Sequence, residues 1–149
     1  METERESLFD WVTRVLRDPD PAAELGRLGA RAREALGESL MPDETVRVLV
    51  RGTLGQAIAG TDTRVLVVNP RFVESEAEVS IWRYLDVLGV EVNQGVVGGH
   101  VVLRVADGEA VVPAAGDWDV IRARVATLRG LIAGARSDAV PAQRHLVAL

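Results

Sequence analysis

Residues 44–106 form a series of short apolar runs separated by Gly, Asp and Asn. In the first run, Val46, Val48 and Val50 alternate with other residues, which is the period of a strand with one buried face. β-Branched residues are enriched in strands, and the separating residues are typical of tight turns. The pattern therefore predicts seven consecutive antiparallel strands, at 46–51, 56–60, 64–68, 79–85, 87–93, 101–106 and 109–113.

Individual apolar runs also predict how the two faces of each strand are buried. The second face of 46–51 is expected to be largely polar, and the small residues of 56–60 predict close approach of another element. Segment 64–68 lacks strict alternation, so it should be buried on both faces or overlain by a helix. Asp107-Gly108 is a strong hairpin signal.

From Asp117 the apolar period changes from two to about three and a half. The residues that step along one face of the predicted helix are Trp118, Ile121, Val125, Leu128 and Ile132. Asp117 and Asp119 lie at its start and arginines follow, which suits the helix dipole. The sequence predicts a helix that ends near Gly134, followed by a flexible tail at 137–149.

The N-terminal residues 1–40 are predicted to form a helical hairpin that extends a main domain at 41–136. Leu8, Trp11, Val12 and Val15 follow the spacing of an amphipathic helix at 6–17. A second helix is expected to continue to about residue 36, with Asp20 as its N-cap, Pro21 at its first position and Gly37 as its stop. The apolar stripe of the first helix is either intramolecular core or a self-association interface.

The composition narrows the possible functions of this 149-residue chain. It contains no cysteine, which removes disulfides, thiolate metal sites and cysteine nucleophiles. All 17 basic residues are arginine, and the net charge of −5 disfavours nucleic acid as a partner. A membrane surface is possible but also disfavoured by this charge. The acidic N-terminus and the lack of a long apolar run predict a cytoplasmic protein.

Residues with catalytic or ligand-binding chemistry do not form a recognisable constellation. His100 and His145 are isolated, Asp62 fits a turn whose side chain binds local amides, and the glycines of 95–99 fit a hairpin. An acidic solvated connection is the preferred interpretation of Glu74, Glu76 and Glu78, with a cation site as the alternative. We therefore expect no enzyme activity, no metal site and no cofactor.

The sequence suggests a candidate patch for an anionic ligand, made of Arg47, Arg51 and Arg64. Arg47 and Arg51 share one face of the first predicted strand, and Arg64 begins the third. The alternative is ordinary pairing of these arginines with the many carboxylates, each exposed pair contributing only ~0–1 kcal/mol. Both interpretations remain open at this point.

The order of seven short strands and one terminal helix resembles that of pleckstrin-homology (PH) domains. Gly60-Thr-Asp-Thr-Arg-Val-Leu-Val67 is similar to a strand turn of bacterial PH-like and GRAM-like domains. Tyr84-Leu-Asp-Val-Leu-Gly-Val-Glu-Val92 and Gly99-His-Val-Val-Leu-Arg-Val105 resemble two of their later strands. The resemblance covers residues 42–136.

This resemblance implies an α+β fold, in which a seven-stranded antiparallel barrel of two near-orthogonal sheets is capped by the C-terminal helix. It also implies a non-enzymatic binding module for protein–protein interaction or self-assembly, with a homo-oligomer as one outcome. A peripheral membrane module that binds lipid head groups is the alternative. The region that binds phosphoinositides in PH domains has only two arginines here, Arg47 and Arg51, and a short loop.

Overall fold

The computed structural model of the chain describes residues 19–70 and 77–148, so the predicted helix at 6–17 lies outside it and the hairpin stays a prediction. The described part is an α+β structure with two antiparallel sheets and a long C-terminal helix. Its elements are α1 (Pro19–Gly26), α2 (Ala30–Ser39), β1 (Val46–Arg51), β2 (Ala57–Thr61), β3 (Arg64–Pro70), β4 (Ala77–Arg83), a 3₁₀ turn (Tyr84–Asp86), β5 (Val87–Gly95), β6 (Gly98–Val105), β7 (Gly108–Ala114) and α3 (Trp118–Ala148).

The predicted second helix is wrong in its extent, because two helices replace it. The break between α1 and α2 contains Gly29 and follows Gly26, and each glycine lowers helix stability by ~1 kcal/mol relative to alanine. The first helix begins at Pro19, ahead of the predicted N-cap Asp20. Gly37 is not the stop either, since α2 continues to Ser39.

All seven predicted strands are confirmed, with shifts at their ends. Strands β1 to β4 form one antiparallel meander and β5 to β7 form another. Within the described residues no strand pair joins the two sheets, so the predicted two sheets with a C-terminal helix are confirmed, but they do not close into a barrel. Tyr84, which was predicted in a strand, begins the 3₁₀ turn that separates β4 from β5.

The main core lies between the two sheets and is covered by α3. Ile121, Val125, Leu128 and Ile132 of the predicted helix face are all buried there, as expected. At Gly60 of β2, a Cβ atom would lie 2.8 Å from Leu128 Cδ1. The predicted close approach to β2 is therefore confirmed.

A second core lies on the other face of the four-stranded sheet, beneath α1 and α2. It contains Leu66 and Val68 of β3, whereas Val65 and Val67 face the main core, so the predicted two-sided burial of this strand is confirmed. The predicted polar face of β1 is confirmed at the exposed Arg47 and Arg51 but not at Leu49, which is buried in this second core. The apolar residues supplied by the helices are Leu25, Leu28, Ala32, Leu36 and Leu40.

Helix α3 extends to Ala148, so its predicted end at Gly134 is wrong. Arg129 and Arg136 on α3 donate hydrogen bonds to the backbone carbonyls of Val90 and Val87, respectively. These bonds hold the helix against β5, an edge strand of the three-stranded sheet. The flexibility of residues 137–149 stays a prediction.

Candidate anion-binding cleft

The structure does not bring the three predicted patch residues together. Arg47 and Arg51 lie four residues apart on β1, a separation of ~13 Å along an extended strand. Arg47 is exposed and makes no ion pair with the described part of the chain, whereas Arg51 and Arg64 each pair with a buried glutamate. The alternative interpretation, ordinary pairing with carboxylates, therefore describes Arg51 and Arg64.

Arg64 is occupied by Glu44, which is only 5% exposed. The Arg64 Nε and Nη2 atoms donate to the two carboxylate oxygens, and Nη2 also donates to the Ser39 carbonyl at 2.8 Å. The Thr61 hydroxyl donates to Glu44 Oε2 at 2.7 Å, and the Met41 amide donates to Oε1 at 3.0 Å. Charge and hydrogen bonds at Glu44 are thus satisfied within the fold.

These contacts set the ionisation of Glu44. Burial opposes the charged form, but the bonds from Arg64, the Met41 amide and Thr61, with the charge of Arg64, outweigh it. The pKa of Glu44 falls from 4.5 to about 2. Glu44 therefore remains ionised at neutral pH and has a structural role.

Two of the segments that resemble PH-like domains meet beside Glu44. The Tyr84 hydroxyl donates to the Thr61 carbonyl, and burial, then the charges of Asp62 and Glu44, raises the pKa of Tyr84. The local turn amides of Thr63 and Arg64 are bound by the Thr61 hydroxyl, not by Asp62 as predicted. Asp62 Oδ1 instead accepts the Thr45 amide at 3.1 Å, because the turn packs against the residue before β1.

A different arrangement surrounds Glu24 on α1, which is only 3% exposed. Three guanidinium groups pair with it: Arg27 Nη1 at 3.0 Å and Arg124 Nη1 at 3.2 Å from Oε1, and Arg51 Nε at 3.1 Å from Oε2. One carboxylate on α1 thus gathers cations from the turn after α1, from β1 and from α3. The cluster carries more positive than negative charge.

The Glu24 cluster lines an open cleft of about 300 Å³ between α1, the end of β1 and the start of α3. Asp117 is the second carboxylate at its wall, so three positive charges face two negative ones. The remaining lining is apolar or small: Ala115, Gly116, Val120 and Ile121. A small anion with an apolar neighbour is the ligand type that this lining suits.

The start of α3 is shaped by two residues that precede it. Gly116 has φ of +116°, a conformation that favours glycine, and it directs the chain from β7 into the helix. Asp117 Oδ1 then accepts the Asp119 amide at 3.1 Å, so Asp117 acts as the N-cap. This turn places Val120 and Ile121 at the cleft wall, one helical turn before Arg124.

The sequence pattern predicted Arg51 as a site residue, but it did not predict Glu24, Arg27 or Arg124. Glu24 and Arg124 are 100 positions apart in the chain, and no local pattern predicts that they pair. One signal was present: Arg124 lies three residues after Ile121 and four before Leu128, within the apolar stripe of the helix. An arginine on such a buried face requires a partner, because a buried charge is costly when unpaired.

The other sequence candidates do not form a second polar site in the described part of the chain. His100 contacts Asn93 at 3.2 Å on the exposed β5–β6 hairpin, and Val96 and Val97 form the exposed tip of that hairpin. Glu74 and Glu76 lie outside the described residues. Residues 19–70 and 77–148 contain no group of three or more His, Asp or Glu placed to hold a metal ion.

Comparisons with known proteins find a similarity to a solved structure. No family model matches the chain, and no curated protein matches it. A crystal structure from Shewanella loihica PV-4, titled as a DUF1696 family protein with a pleckstrin-homology domain, is similar at 14% identity and a TM-score of 0.47. The similarity covers 64% of this chain and 87% of that chain. None of the described helices is long and apolar enough to cross a membrane.

Proposed function

We propose that the chain is a non-enzymatic, PH-like binding module that recognises an anionic group on another protein. The observation that carries the proposal is the convergence of three guanidinium groups on the single buried carboxylate of Glu24, at the wall of an open cleft. The two sheets and the C-terminal helix support the PH-like assignment. They form the scaffold that positions this cleft.

The guanidinium groups retain capacity for a further anion. Each has five N–H donors in a planar fork, and the contacts to Glu24 use few of them. Arg124 is only 20% exposed, so water screens its charge less than that of a surface arginine. An anion that enters the cleft would therefore meet preorganised donors and a partly desolvated positive charge.

A protein partner suits this cleft better than a lipid surface does. Electrostatic membrane binding generally uses clusters of 4–8 basic residues. Here the cleft holds three arginines, two of its charges are offset by Glu24 and Asp117, and the whole chain is acidic. The apolar Val120 and Ile121 beside the arginines also match the mixed polar and apolar character of a peptide segment.

Ligand-induced stabilisation tests whether the cleft binds anions. Thermal unfolding would be followed in sodium acetate, phosphate and chloride at equal ionic strength, for the unchanged chain, Arg124→Gln and the control Arg47→Gln. Because a ligand that binds only the folded state raises Tm, acetate or phosphate should stabilise the unchanged chain and Arg47→Gln more than Arg124→Gln. Equal shifts in all three proteins would contradict an anion site in the cleft.

The lipid alternative retains some support from Arg51, which belongs both to the predicted patch and to the cleft. Co-sedimentation with anionic and neutral vesicles at low and physiological salt tests it. We expect the protein to stay in the supernatant. Binding that requires anionic lipid, weakens with salt and is lost in Arg51→Gln would support the lipid-head-group function instead.

Self-assembly remains a proposal about Leu8, Trp11, Val12 and Val15, which lie outside the described residues. Deleting residues 1–18 removes this apolar stripe and keeps every described element. If the stripe assembles the protein, light scattering should give a smaller molar mass for the truncated chain. An unchanged mass would contradict this part of the proposal.

A further inference from the structure

We infer that the cleft accepts a single carboxylate from a protein partner, presented by a Glu or Asp side chain that has an apolar neighbour. This inference rests on the proposed function and specifies its ligand. Three properties of the cleft lead to it: the excess charge, the different exposure of the three arginines, and the apolar wall.

The charge balance favours a monoanion. Arg27, Arg51 and Arg124 contribute three positive charges, and Glu24 and Asp117 contribute two negative ones, so one positive charge is in excess. A carboxylate carries one negative charge, whereas a phosphate monoester carries about −1.5 to −2 at neutral pH. A carboxylate therefore neutralises the cleft, and a phosphate monoester brings more negative charge than the excess can balance.

The arginines are graded in exposure from the interior to the rim. The Arg124 side chain is 20% exposed, that of Arg51 is 42% exposed and that of Arg27 is 64% exposed. Glu24 holds all three, which reduces the side-chain entropy lost when a ligand binds. Arg124 and Arg51 are thus the main donors for an incoming carboxylate, to which a guanidinium fork is geometrically matched.

The apolar wall of the cleft indicates that the ligand has an apolar part beside its carboxylate. Ala115, Val120 and Ile121 line the cleft, and Val120 is 37% exposed, so it offers contact area to a neighbouring side chain. At about 300 Å³ the cleft is at the lower end of the range of ligand pockets, ~300–1,000 Å³. It suits one acidic side chain with one apolar neighbour better than a large head group.

Calorimetric titration with matched probes tests this ligand class. The probes are the capped peptide acetyl-Ala-Leu-Glu-Leu-Ala-amide, its twin with Gln in place of Glu, and inorganic phosphate. We expect the Glu peptide to bind the unchanged chain and the control Arg47→Gln, and the Gln twin to bind neither. Arg124→Gln should weaken the binding of the Glu peptide by about tenfold or more, because a hydrogen bond between charged groups is lost.

Asp117→Asn provides a second variant that does not depend on removing an arginine. Asparagine caps helices as well as aspartate does, so α3 should keep its start while the cleft gains one net positive charge. The affinity for phosphate relative to the Glu peptide should rise in this variant. An unchanged ratio would overturn the charge-matching argument.

The outcomes separate this inference from the proposed function. Tighter binding of phosphate than of the Glu peptide to the unchanged chain, lost in Arg124→Gln, would overturn the carboxylate inference and leave an anion-binding module. Equal binding of the Glu and Gln peptides would also overturn it. If neither peptide nor phosphate binds the unchanged chain, the proposed function itself fails.

Discussion

Glu24 and Glu44 are the two buried carboxylates of the described residues, and their surroundings differ in one decisive respect. Glu44 has one cation, Arg64, and its remaining bonds come from neutral donors of the same fold. Glu24 has three cations and lies at the wall of an open cleft. The first cluster is neutral and internally complete, whereas the second retains positive charge.

This difference separates a structural ion pair from a candidate binding site. A buried ion pair with satisfied partners has no donors left for a ligand. When one partner is removed, the other charge stays buried and unpaired, which lowers the free energy of unfolding. A cluster with excess guanidinium groups at a cleft has donors to offer, and the loss of one still leaves its carboxylate paired. The two clusters should therefore respond in opposite ways to mutation and to added anions.

The largest expected effect is that of Arg64→Met. This change leaves Glu44 buried without its cation, and breaking a buried pair in this way costs ~3–5 kcal/mol. Urea unfolding should show a fall of this size in the free energy of unfolding. The matched control is Arg83→Met, because Arg83 pairs with Asp86 on the exposed surface, and the loss of such a pair should leave the free energy of unfolding almost unchanged. Equal stability of Arg64→Met and the unchanged chain would contradict the structural role of Glu44.

Acid should weaken the Glu44 cluster in a defined pH range. The pKa of Glu44 in the folded chain is about 2, below its ordinary value of 4.5, so the folded state binds fewer protons than the unfolded state. The stabilisation is fully present above pH 4.5 and is lost as the pH falls towards 2, with a total on the order of 3 kcal/mol.

Urea unfolding of the unchanged chain and of Glu44→Gln across this range measures that contribution. The stability difference between the two proteins should shrink as the pH falls, because the substituted glutamine has no carboxylate to protonate. A difference that stays constant with pH would show that Glu44 titrates normally in the folded state.

A smaller effect is expected from Gly60→Ala, which adds a methyl group beside Thr61 of the Glu44 cluster. The new Cβ would lie 2.8 Å from Leu128 Cδ1 and 2.9 Å from Val48 Cγ1. Overpacking of this kind costs ~1–3 kcal/mol. The control is Gly130→Ala on α3, where nothing lies within 4 Å and alanine should stabilise the helix by ~1 kcal/mol. Thermal unfolding that moves Tm in the same direction for both variants would contradict the packing at Gly60.

The smallest effect on stability is expected at the Glu24 cluster. Arg51→Gln or Arg124→Gln leaves Glu24 with two guanidinium partners, so the buried carboxylate stays paired and each variant should lower the free energy of unfolding far less than Arg64→Met does. The same variants should lose most of the stabilisation by added anions. If either variant lowered the free energy of unfolding as much as Arg64→Met, the Glu24 cluster would have a structural role like that of the Glu44 cluster.

Local patterns predicted the strands and the helix face well because those patterns depend on near neighbours. Val48 and Val50 face the main core together, as does the stripe from Ile121 to Ile132. Val46 was predicted on the same face but lies in the second core, because the strand register shifts between Val46 and Val48. The local patterns failed where a second layer of structure covers the sheet, as at Leu49, which is buried beneath α1 and α2. They also failed at Gly134, where bonds from Arg129 and Arg136 to β5 accompany the continuation of the helix.

The candidate site was less predictable, because its residues come from three distant parts of the chain. Arg47 and Arg51 have the same residue type and lie on the same strand, yet only Arg51 reaches the Glu24 cluster. That outcome depends on the docking of α1 against β1, which no residue spacing specifies. The arginine within the buried stripe of α3, Arg124, was the signal in the sequence that pointed to such a partner.

The most direct measurement is an NMR titration of the arginine Nε–H signals with the Glu peptide. The signals of Arg51 and Arg124 should shift and saturate together, while that of Arg64 should stay unchanged because Glu44 already occupies it. This result would establish that the Glu24 cluster takes an external anion and that the Glu44 cluster does not. Unchanged Arg51 and Arg124 signals, or equal shifts of all three, would contradict that distinction.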